Sequence, residues 1–473
     1  MSTRNYDLIV LGGGIGGYTA AIRAAQAGKT VALVEEDKLG GTCLHRGCIP
    51  SKSLLRSAEV FASAKSGSEY GVVAERVELD FSRVMRRKDE IVHQLHTGLE
   101  SLMKKNRIDV YRGRGRVIGP SIFSPRSGSV AIDADEELPT LTAKHTIIAT
   151  GSRPRMLPGW EADGEQVLTS DDALRMERLP ASMLIIGGGV IGVEWASMMN
   201  DFGVQVTIVE AAERLLPQED DDVSREMERV LAARGVTVLT RTSVVTESLD
   251  TSGGRVAVSA LCEGEARDLT AEACLVAVGR QANTEWIGLE NTDVAVDGGY
   301  IRVNEFLQTT EPHIYAIGDV IGGPQLAHKA AYDAMLAVDH LLGRPVEPHA
   351  PHRVARCIYS RPEAAGIGLS EREAKAKGHR VKTGKFPFRA LGKALVHGST
   401  EGFVKVVADA ESDDILGVHI VGAQATELIS EAALALRFEA APWEIGTLAH
   451  PHPTLSEALG EAMLAADGRA VSI

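Results

Sequence analysis

The stretch DLIVLGGGIGGYTAAIRAAQA, residues 7–27, decides the fold of the chain. An apolar strand ends at Leu11, a glycine loop follows, and an alanine-rich helix comes directly after the loop. The loop has the spacing G-x-G-x-x-G, with Gly12, Gly14 and Gly17 at its three glycine positions. Such glycines allow a tight turn, close approach of the backbone to a pyrophosphate, and close packing of the helix on the strand. The stretch therefore predicts a dinucleotide-binding unit.

An acid completes this unit, and the whole pattern occurs twice. The next apolar strand ends in Glu35, whose carboxylate can accept hydrogen bonds from both hydroxyls of a ribose. Further along, another strand leads into a second loop of the same spacing, and another acid follows at the same distance. The second copy consists of Gly187, Gly189, Gly192 and Glu210. Two complete copies predict two dinucleotides in one chain.

The second acid also predicts which nicotinamide cofactor binds. A carboxylate at the ribose position repels a 2′-phosphate and accepts a hydrogen bond from a free 2′-hydroxyl. The residues directly after Glu210 are Ala211, Ala212 and Glu213, so no arginine cluster follows directly to hold a phosphate. The second site is expected to prefer NAD over NADP.

The chain length limits the number of domains, and the net charge limits the kinds of partner. A chain of 473 residues suggests about three or four domains, and its net charge of -14 argues against nucleic acid or an anionic membrane as partner. We expect a cytoplasmic protein, because a strand begins near Tyr6 and leaves no room for a signal peptide. The region 58–106 predicts long helices, and alternating strands with helices follow from about residue 350.

Two of the five cysteines lie close together, in the segment GTCLHRGCIPSK that begins at Gly41. Cys43 and Cys48 are five residues apart, which exceeds disulfide reach in a straight helix, so the segment must bend, and Gly47 permits a bend. A cysteine in a first helical turn has a lowered pKa. The spacing alone also suits a structural disulfide, a zinc half-site or two unrelated buried cysteines, although no second close cysteine pair is present to complete a zinc site.

This cysteine segment resembles the redox-active segment of the class I flavoprotein disulfide reductases, the pyridine nucleotide–disulfide oxidoreductases. The resemblance covers essentially the whole chain and includes three further motifs: Ala149-Thr150-Gly151, Val278-Gly279-Arg280 and Tyr315-Ala316-Ile317-Gly318-Asp319. His45-Arg46 departs from it, since many members have Asn-Val there, and Ala282 replaces a common proline.

The resemblance implies a role for each motif. Cys43 and Cys48 are expected to form the redox disulfide, with Cys43 exchanging with substrate and Cys48 lying against the flavin. The residues expected to hold FAD are Gly12, Gly14, Gly17, Glu35, Thr42, Lys52, Thr150, Gly151 and Asp319. Those expected to hold NAD are Gly187, Gly189, Gly192, Glu194, Glu210 and Gly279, with Glu194 as the ion-pair partner of Lys52.

A histidine pair lies near the end of the chain, in the segment HPHPTLSE that begins at His450. Two histidines and a carboxylate in eight residues also suit a metal site, but the resemblance explains them without a metal. It implies that His452 is the acid–base catalyst and that Glu457 orients its ring. In the family this histidine reaches the disulfide of the other subunit, so a homodimer is expected. For His450 we expect packing or hydrogen bonding.

The resemblance predicts an α/β fold with two Rossmann-like domains and a C-terminal α+β dimerisation domain. The expected boundaries are 1–150 for FAD binding, 151–279 for NAD binding, 280–349 for a central segment completing the FAD site, and 350–473 for the interface. The chain is most similar to NAD+-dependent members that oxidise dihydrolipoamide, with a separate lipoyl-carrying acyltransferase or carrier protein as partner. A mycothione-type reductase and an NADH diaphorase are the alternatives. No cysteine follows Cys357, unlike in mercuric reductases.

Overall fold

The computed structural model describes residues 3–120, 126–136 and 138–472. The chain divides into two compact units, each made of several segments. The first unit consists of Met1–Ser53, Met85–Pro154 and Arg280–Pro351, and the second of Leu54–Val84, Arg155–Gly279 and His352–Ile473.

Strands and helices alternate in some parts of the chain, and strands follow one another directly in others. The strands are β1 (Thr3–Leu11), β2 (Val31–Glu35), β3 (Asp109–Arg112), β4 (Arg114–Ile118), β5 (Ser129–Asp133), β6 (Thr140–Ile148), β7 (Ser152–Pro154), β8 (Val167–Leu168), β9 (Ser182–Ile186), β10 (Gln205–Val209), β11 (Thr237–Leu239), β12 (Thr242–Val244), β13 (Val256–Cys262), β14 (Glu265–Ala271), β15 (Ala273–Val276), β16 (Arg280–Ala282), β17 (Val296–Asp297), β18 (Tyr300–Ile301), β19 (Ile314–Ala316), β20 (Arg356–Ile358), β21 (Glu363–Gly368), β22 (Val381–Pro387), β23 (Phe403–Asp409) and β24 (Ile415–Gly422). The α-helices are α1 (Ile15–Gln26), α2 (Gly41–Arg46), α3 (Cys48–Lys65), α4 (Phe81–Lys105), α5 (Ser170–Ala173), α6 (Val190–Phe202), α7 (Asp221–Ala233), α8 (Ala327–Leu341), α9 (Glu371–Ala376), α10 (Gly392–His397), α11 (Ala425–Arg437), α12 (Pro442–Gly446) and α13 (Glu457–Ala465).

The first unit is built on a sheet in the order β3-β2-β1-β6, to which β19 adds in parallel beside β6 and the antiparallel strands β5 and β4 follow. Its central strands are apolar on both faces, as expected for parallel strands covered on both sides. Helix α1 packs on the sheet through small residues, and it also contacts α8. The Arg23–Asp339 ion pair, at 2.9 Å, joins these two helices.

The second unit contains the second parallel sheet, in the order β11-β10-β9-β15-β8, with the antiparallel strands β12, β13 and β14. It also contains the C-terminal antiparallel sheet β20-β21-β24-β23-β22, whose core includes α11 and α13.

The predicted long helices between residues 58 and 106 are α3 and α4, with a short 3-10 helix, Gly67–Tyr70, between them. Within the described ranges, no helix combines the length and apolarity needed to cross a membrane.

A buried lysine holds the second unit together. Lys405 of β23 is only 4% exposed, and its Nζ lies 2.9 Å from Asp220, 3.0 Å from Asp222 and 2.8 Å from Glu371. Asp220 caps α7, and Glu371 begins α9. Burial lowers the pKa of Lys405, but the three carboxylates outweigh it and the net shift is upward. The C-terminal sheet is thereby bonded to α7, which connects β10 and β11 of the second parallel sheet, and to the start of α9.

We predict that Lys405→Met destabilises the second unit by about 3–5 kcal/mol, because it leaves the buried Asp220 carboxylate without its cation. Lys385 is the matched control, since it lies opposite Lys405 in the β22–β23 pair and its side chain is 47% exposed. Lys385→Met is expected to cost less than about 1 kcal/mol. Denaturant unfolding at neutral pH measures both losses, and equal losses would contradict the role of the buried lysine.

Candidate active site

The three motif glycines of the first loop have different surroundings, and a side chain would meet a different obstacle or open space at each. Gly12 has φ +98°, and a Cβ there would lie 2.3 Å from the Ala149 carbonyl oxygen. A Cβ on Gly17 would lie 1.8 Å from the carbonyl oxygen of Gly12, so only glycine lets α1 begin this close to β1. A Cβ on Gly14 would meet nothing nearer than the Gly41 Cα, at 4.0 Å. Gly14 therefore faces open space at the start of the helix, where a pyrophosphate fits.

The second loop repeats this arrangement. Gly187 has φ +110°, and a Cβ there would lie 2.4 Å from the Ala277 carbonyl oxygen. A Cβ on Gly192 would lie 1.9 Å from the Gly187 carbonyl oxygen, whereas a Cβ on Gly189 would have nothing within 4 Å. Both loops thus have two glycines pressed against backbone and one facing open space, which fits a dinucleotide in each.

The two acids also occupy equivalent positions. Glu35 accepts hydrogen bonds from the Gly13 N–H at 2.6 Å and the Asp37 N–H at 2.8 Å. Glu210 accepts them from the Gly188 N–H at 2.5 Å and the Ala212 N–H at 2.6 Å. A carboxylate has about four lone-pair sites, so each acid can hold its loop and still accept from ribose hydroxyls.

A cleft of about 280 Å³ opens beside Glu35. Its apolar wall contains Leu39, Met103, Ile108 and Val110. Its other lining residues are Asp37, Glu100, Lys104 and Arg112, so the cleft combines apolar and charged side chains next to the acid predicted to bind a ribose.

The predicted Thr150, Gly151 and Asp319 belong to one network in the first unit. Thr150 donates its hydroxyl to the Asn283 carbonyl at 2.7 Å, and Gly151 has φ +70° with open space around its Cα. Asp319 accepts a hydrogen bond from the Ser152 hydroxyl. Ser152 in turn accepts one from Arg280 Nε at 2.8 Å. Ser152 was not predicted, although its place directly after Gly151 was an available signal.

The cysteine segment bends where the sequence predicted. Helix α2 ends at Arg46 and α3 begins at Cys48, with Gly47 between them. A Cβ on Gly47 would lie 3.1 Å from the Thr42 carbonyl oxygen and 3.4 Å from the Cys43 Cα, so a side chain there would crowd the turn. The bend brings the side chains of Cys43 and Cys48 into hydrogen-bonding contact.

The prediction of a lowered cysteine pKa is wrong for Cys43. The hydrogen bond from Cys43 to Cys48 and the burial of the thiol raise the pKa of Cys43, although Lys52 opposes the shift. The helix α2 has only six residues, so few aligned peptide dipoles are present to favour a thiolate at its start. Tyr18 also lies near the pair. Its pKa is raised, mainly by burial and to a smaller extent by the negative charge of the two cysteines. In the sequence, only its place directly after the glycine loop pointed to Tyr18.

The remaining predicted cofactor residues lie on the same elements as the two loops. Thr42 is in α2, and the half-buried Lys52 is one turn into α3. Glu194 is in α6, is only 6% exposed, and accepts a hydrogen bond from the Tyr359 N–H at 3.0 Å. Gly279 has φ +108° with open space around its Cα. The ion pair between Lys52 and Glu194 stays a prediction.

The C-terminal histidines each have a carboxylate partner. His452 Nδ1 lies 2.8 Å from Glu457 Oε1, and the His452 side chain is 79% exposed. Burial tends to raise the pKa of Glu457, but hydrogen bonds from the Thr454 N–H and from His452 make the net shift downward. His450 Nε2 lies 2.8 Å from Glu431 Oε1, and this side chain is 10% exposed. His452 thus presents its ring to solvent with a carboxylate behind it, whereas His450 is hydrogen-bonded inside the domain.

Comparisons with known proteins agree with this geometry. Residues 6–334 match the pyridine nucleotide-disulphide oxidoreductase family, and residues 354–463 match its dimerisation domain. The chain is 56% identical to a dihydrolipoyl dehydrogenase of Bacillus subtilis, over 98% of this chain and 99% of that one. It is 42% identical to one from Zymomonas mobilis, over 99% of both chains.

Solved structures show the same fold. LpdA from Mycobacterium tuberculosis superposes with a TM-score of 0.89 at 27% identity, covering 98% of this chain and 99% of that chain. A HOCl-induced flavoprotein disulfide reductase, RclA from Escherichia coli, superposes with a TM-score of 0.82 at 28% identity, covering 97% and 99%.

These matches confirm the predicted fold class and the prediction of an oxidoreductase that uses FAD and NAD. The assignments of single residues and the domain boundaries stay predictions. The chain belongs to the pyridine nucleotide-disulphide oxidoreductase family.

Proposed function

We propose that this chain oxidises dihydrolipoyl groups with NAD+, through FAD and the Cys43–Cys48 pair. The observation that carries the proposal is the thiol pair at the bend between α2 and α3, directly after the first dinucleotide loop and its acid. The names of the full-length relatives support dihydrolipoyl groups as the substrate over mycothiol disulfide. Glu210 supports NAD as the second dinucleotide.

In the proposed reaction, His452 takes a proton from one substrate thiol. The resulting thiolate attacks Cys43 of the oxidised pair, a mixed disulfide forms, and the electrons of the broken S–S bond stay on Cys48. The second substrate thiol then attacks the mixed disulfide, so the cyclic disulfide product leaves and Cys43 becomes a thiol. A bound FAD, which the first glycine loop, Glu35 and Asp319 would hold, would supply the two-electron chemistry that connects the reduced cysteine pair to NAD+.

The protonation of the pair explains why a base is needed. Hydrogen bonding to Cys48 and partial burial raise the pKa of Cys43 above its usual range, so its proton is held tightly. Reoxidation of the pair requires removal of this proton, and His452 with Glu457 behind it is suited to accept it.

We also propose a homodimer in which His452 serves the cysteine pair of the partner subunit. The match of residues 354–463 to a dimerisation domain supports it. So do the exposed apolar side chains of this region: Leu434 at 58%, Phe438 at 75%, Trp443 at 48% and Leu448 at 55%. The lipoyl group is proposed to arrive on a separate acyltransferase or carrier protein.

We predict that Cys48→Ser loses dihydrolipoamide-driven NAD+ reduction by on the order of 10³-fold or more, because a serine cannot form the redox disulfide. Reduction of a quinone by NADH is expected to survive, since it requires only the flavin and the nicotinamide cofactor. Cys262→Ser is the matched control and is expected to retain both activities. Full dihydrolipoamide turnover in Cys48→Ser would refute the redox pair.

We predict that His452→Gln lowers dihydrolipoamide turnover by about 10²–10⁴-fold, because glutamine keeps a hydrogen-bonding group but cannot take up the proton. The His450→Gln variant tests the neighbouring histidine, and its turnover rate with dihydrolipoamide is expected to equal that of the parent. Steady-state rates with both variants measure the difference, and gel filtration checks that both remain dimeric. An unchanged rate in His452→Gln would remove it as the base.

A further inference from the structure

The peptide unit between Leu39 and Gly40 connects the first glycine loop to the cysteine helix. Its N–H, on Gly40, donates to the Gly13 carbonyl at 2.8 Å. Its carbonyl, on Leu39, is 2.8 Å from His45 Nε2 and 3.0 Å from His96 Nδ1. One peptide group is therefore bonded to the glycine loop on one side and to two histidines on the other.

The two histidines come from different helices. His45 is in α2, two residues after Cys43, and His96 is in α4. Their rings meet edge to face, with centroids 5.1 Å apart. A carbonyl oxygen only accepts hydrogen bonds, so both ring nitrogens must carry hydrogen, and the two lone pairs of the oxygen accommodate both.

The backbone beside this peptide gives it little rigidity of its own. Gly40 has φ +109° and Gly41 has φ +57°, and α2 begins at Gly41. Two successive glycines reach such conformations at low cost and leave them as easily. The orientation of the Leu39 carbonyl, and with it the start of the cysteine helix, therefore depends on the groups that bind it.

We propose that His45 and His96 are positioning residues that together hold the Leu39 carbonyl and so fix Cys43 relative to the first dinucleotide loop. The proposal rests on the proposed function in taking Cys43 and Cys48 as the redox pair. It assigns a role to His45 and to His96, for which the sequence predicted none. Both rings act through the peptide that they bind.

The test uses substitutions that keep or remove the donor. His45→Gln and His96→Asn place an amide N–H near the ring nitrogen that is lost, whereas His45→Leu and His96→Leu keep similar bulk without a donor. His93→Leu is the matched control, because His93 is an exposed histidine on the same helix α4. The double variant His45→Leu/His96→Leu removes both donors.

The first readout is the rate of flavin reduction by dihydrolipoamide in a single turnover. We expect about a threefold loss in each leucine variant and about thirtyfold or more in the double variant, because one remaining donor still holds the carbonyl. The amide variants and His93→Leu are expected to match the parent, and quinone reduction by NADH is expected to be unchanged throughout. The proposal would be overturned if the flavin-reduction rate of the double variant fell by no more than the roughly ninefold product of the single losses. An equal fall in quinone reduction would also overturn it.

The second readout needs no substrate. In the reduced protein, the rate of Cys43 alkylation by iodoacetamide, located by mass spectrometry, is expected to change at least about fivefold in the double leucine variant. The amide variants are expected to react like the parent. Equal alkylation in the parent and the double variant would overturn the positioning role, whether or not dihydrolipoamide proves to be the substrate.

Discussion

The arrangement of both dinucleotide sites depends on the close approach of a helix to the loop before it. A Cβ on Gly17 or Gly192 would lie within 2 Å of the carbonyl oxygen of Gly12 or Gly187, so any side chain there would push the helix away. That approach directs the first N–H groups of the helix at open space beside the middle glycine. The acids Glu35 and Glu210 hold the loops from the other side through backbone N–H groups. The same contact thus shapes the loop twice in one chain.

The cysteine pair is attached to the first of these loops, and this attachment links cofactor binding to thiol chemistry. The Gly40 N–H bonds to the loop, α2 begins one residue later, and the bend at Gly47 brings Cys48 back to Cys43. Hydrogen bonding to Cys48 and burial raise the pKa of Cys43, so removal of its proton in the proposed cycle calls for a base. His452 and Glu457 supply that base from the C-terminal domain in the proposed mechanism.

Local sequence was enough to predict the features that depend on neighbouring residues. The glycine loops, their acids and the bend at Gly47 are of this kind, because tight turns and short spacings leave few alternatives. Contacts between distant segments were not predictable: the bonds of His45 and His96 to Leu39, and the three carboxylates around Lys405, join residues whose spacing carries no signal. The pKa of Cys43 was predicted in the wrong direction because a helix dipole can be read from position, whereas a hydrogen bond to Cys48 depends on side-chain geometry.

The central claim is that the thiol pair passes electrons from a dihydrolipoyl group to NAD+. The most direct measurement is anaerobic NAD+ reduction by the purified yellow protein, with dihydrolipoamide, glutathione and mycothiol as alternative thiols. The account predicts rapid turnover with dihydrolipoamide and none with the other two. Absence of turnover with dihydrolipoamide, while NADH still bleaches the bound flavin, would contradict it and indicate a different disulfide substrate.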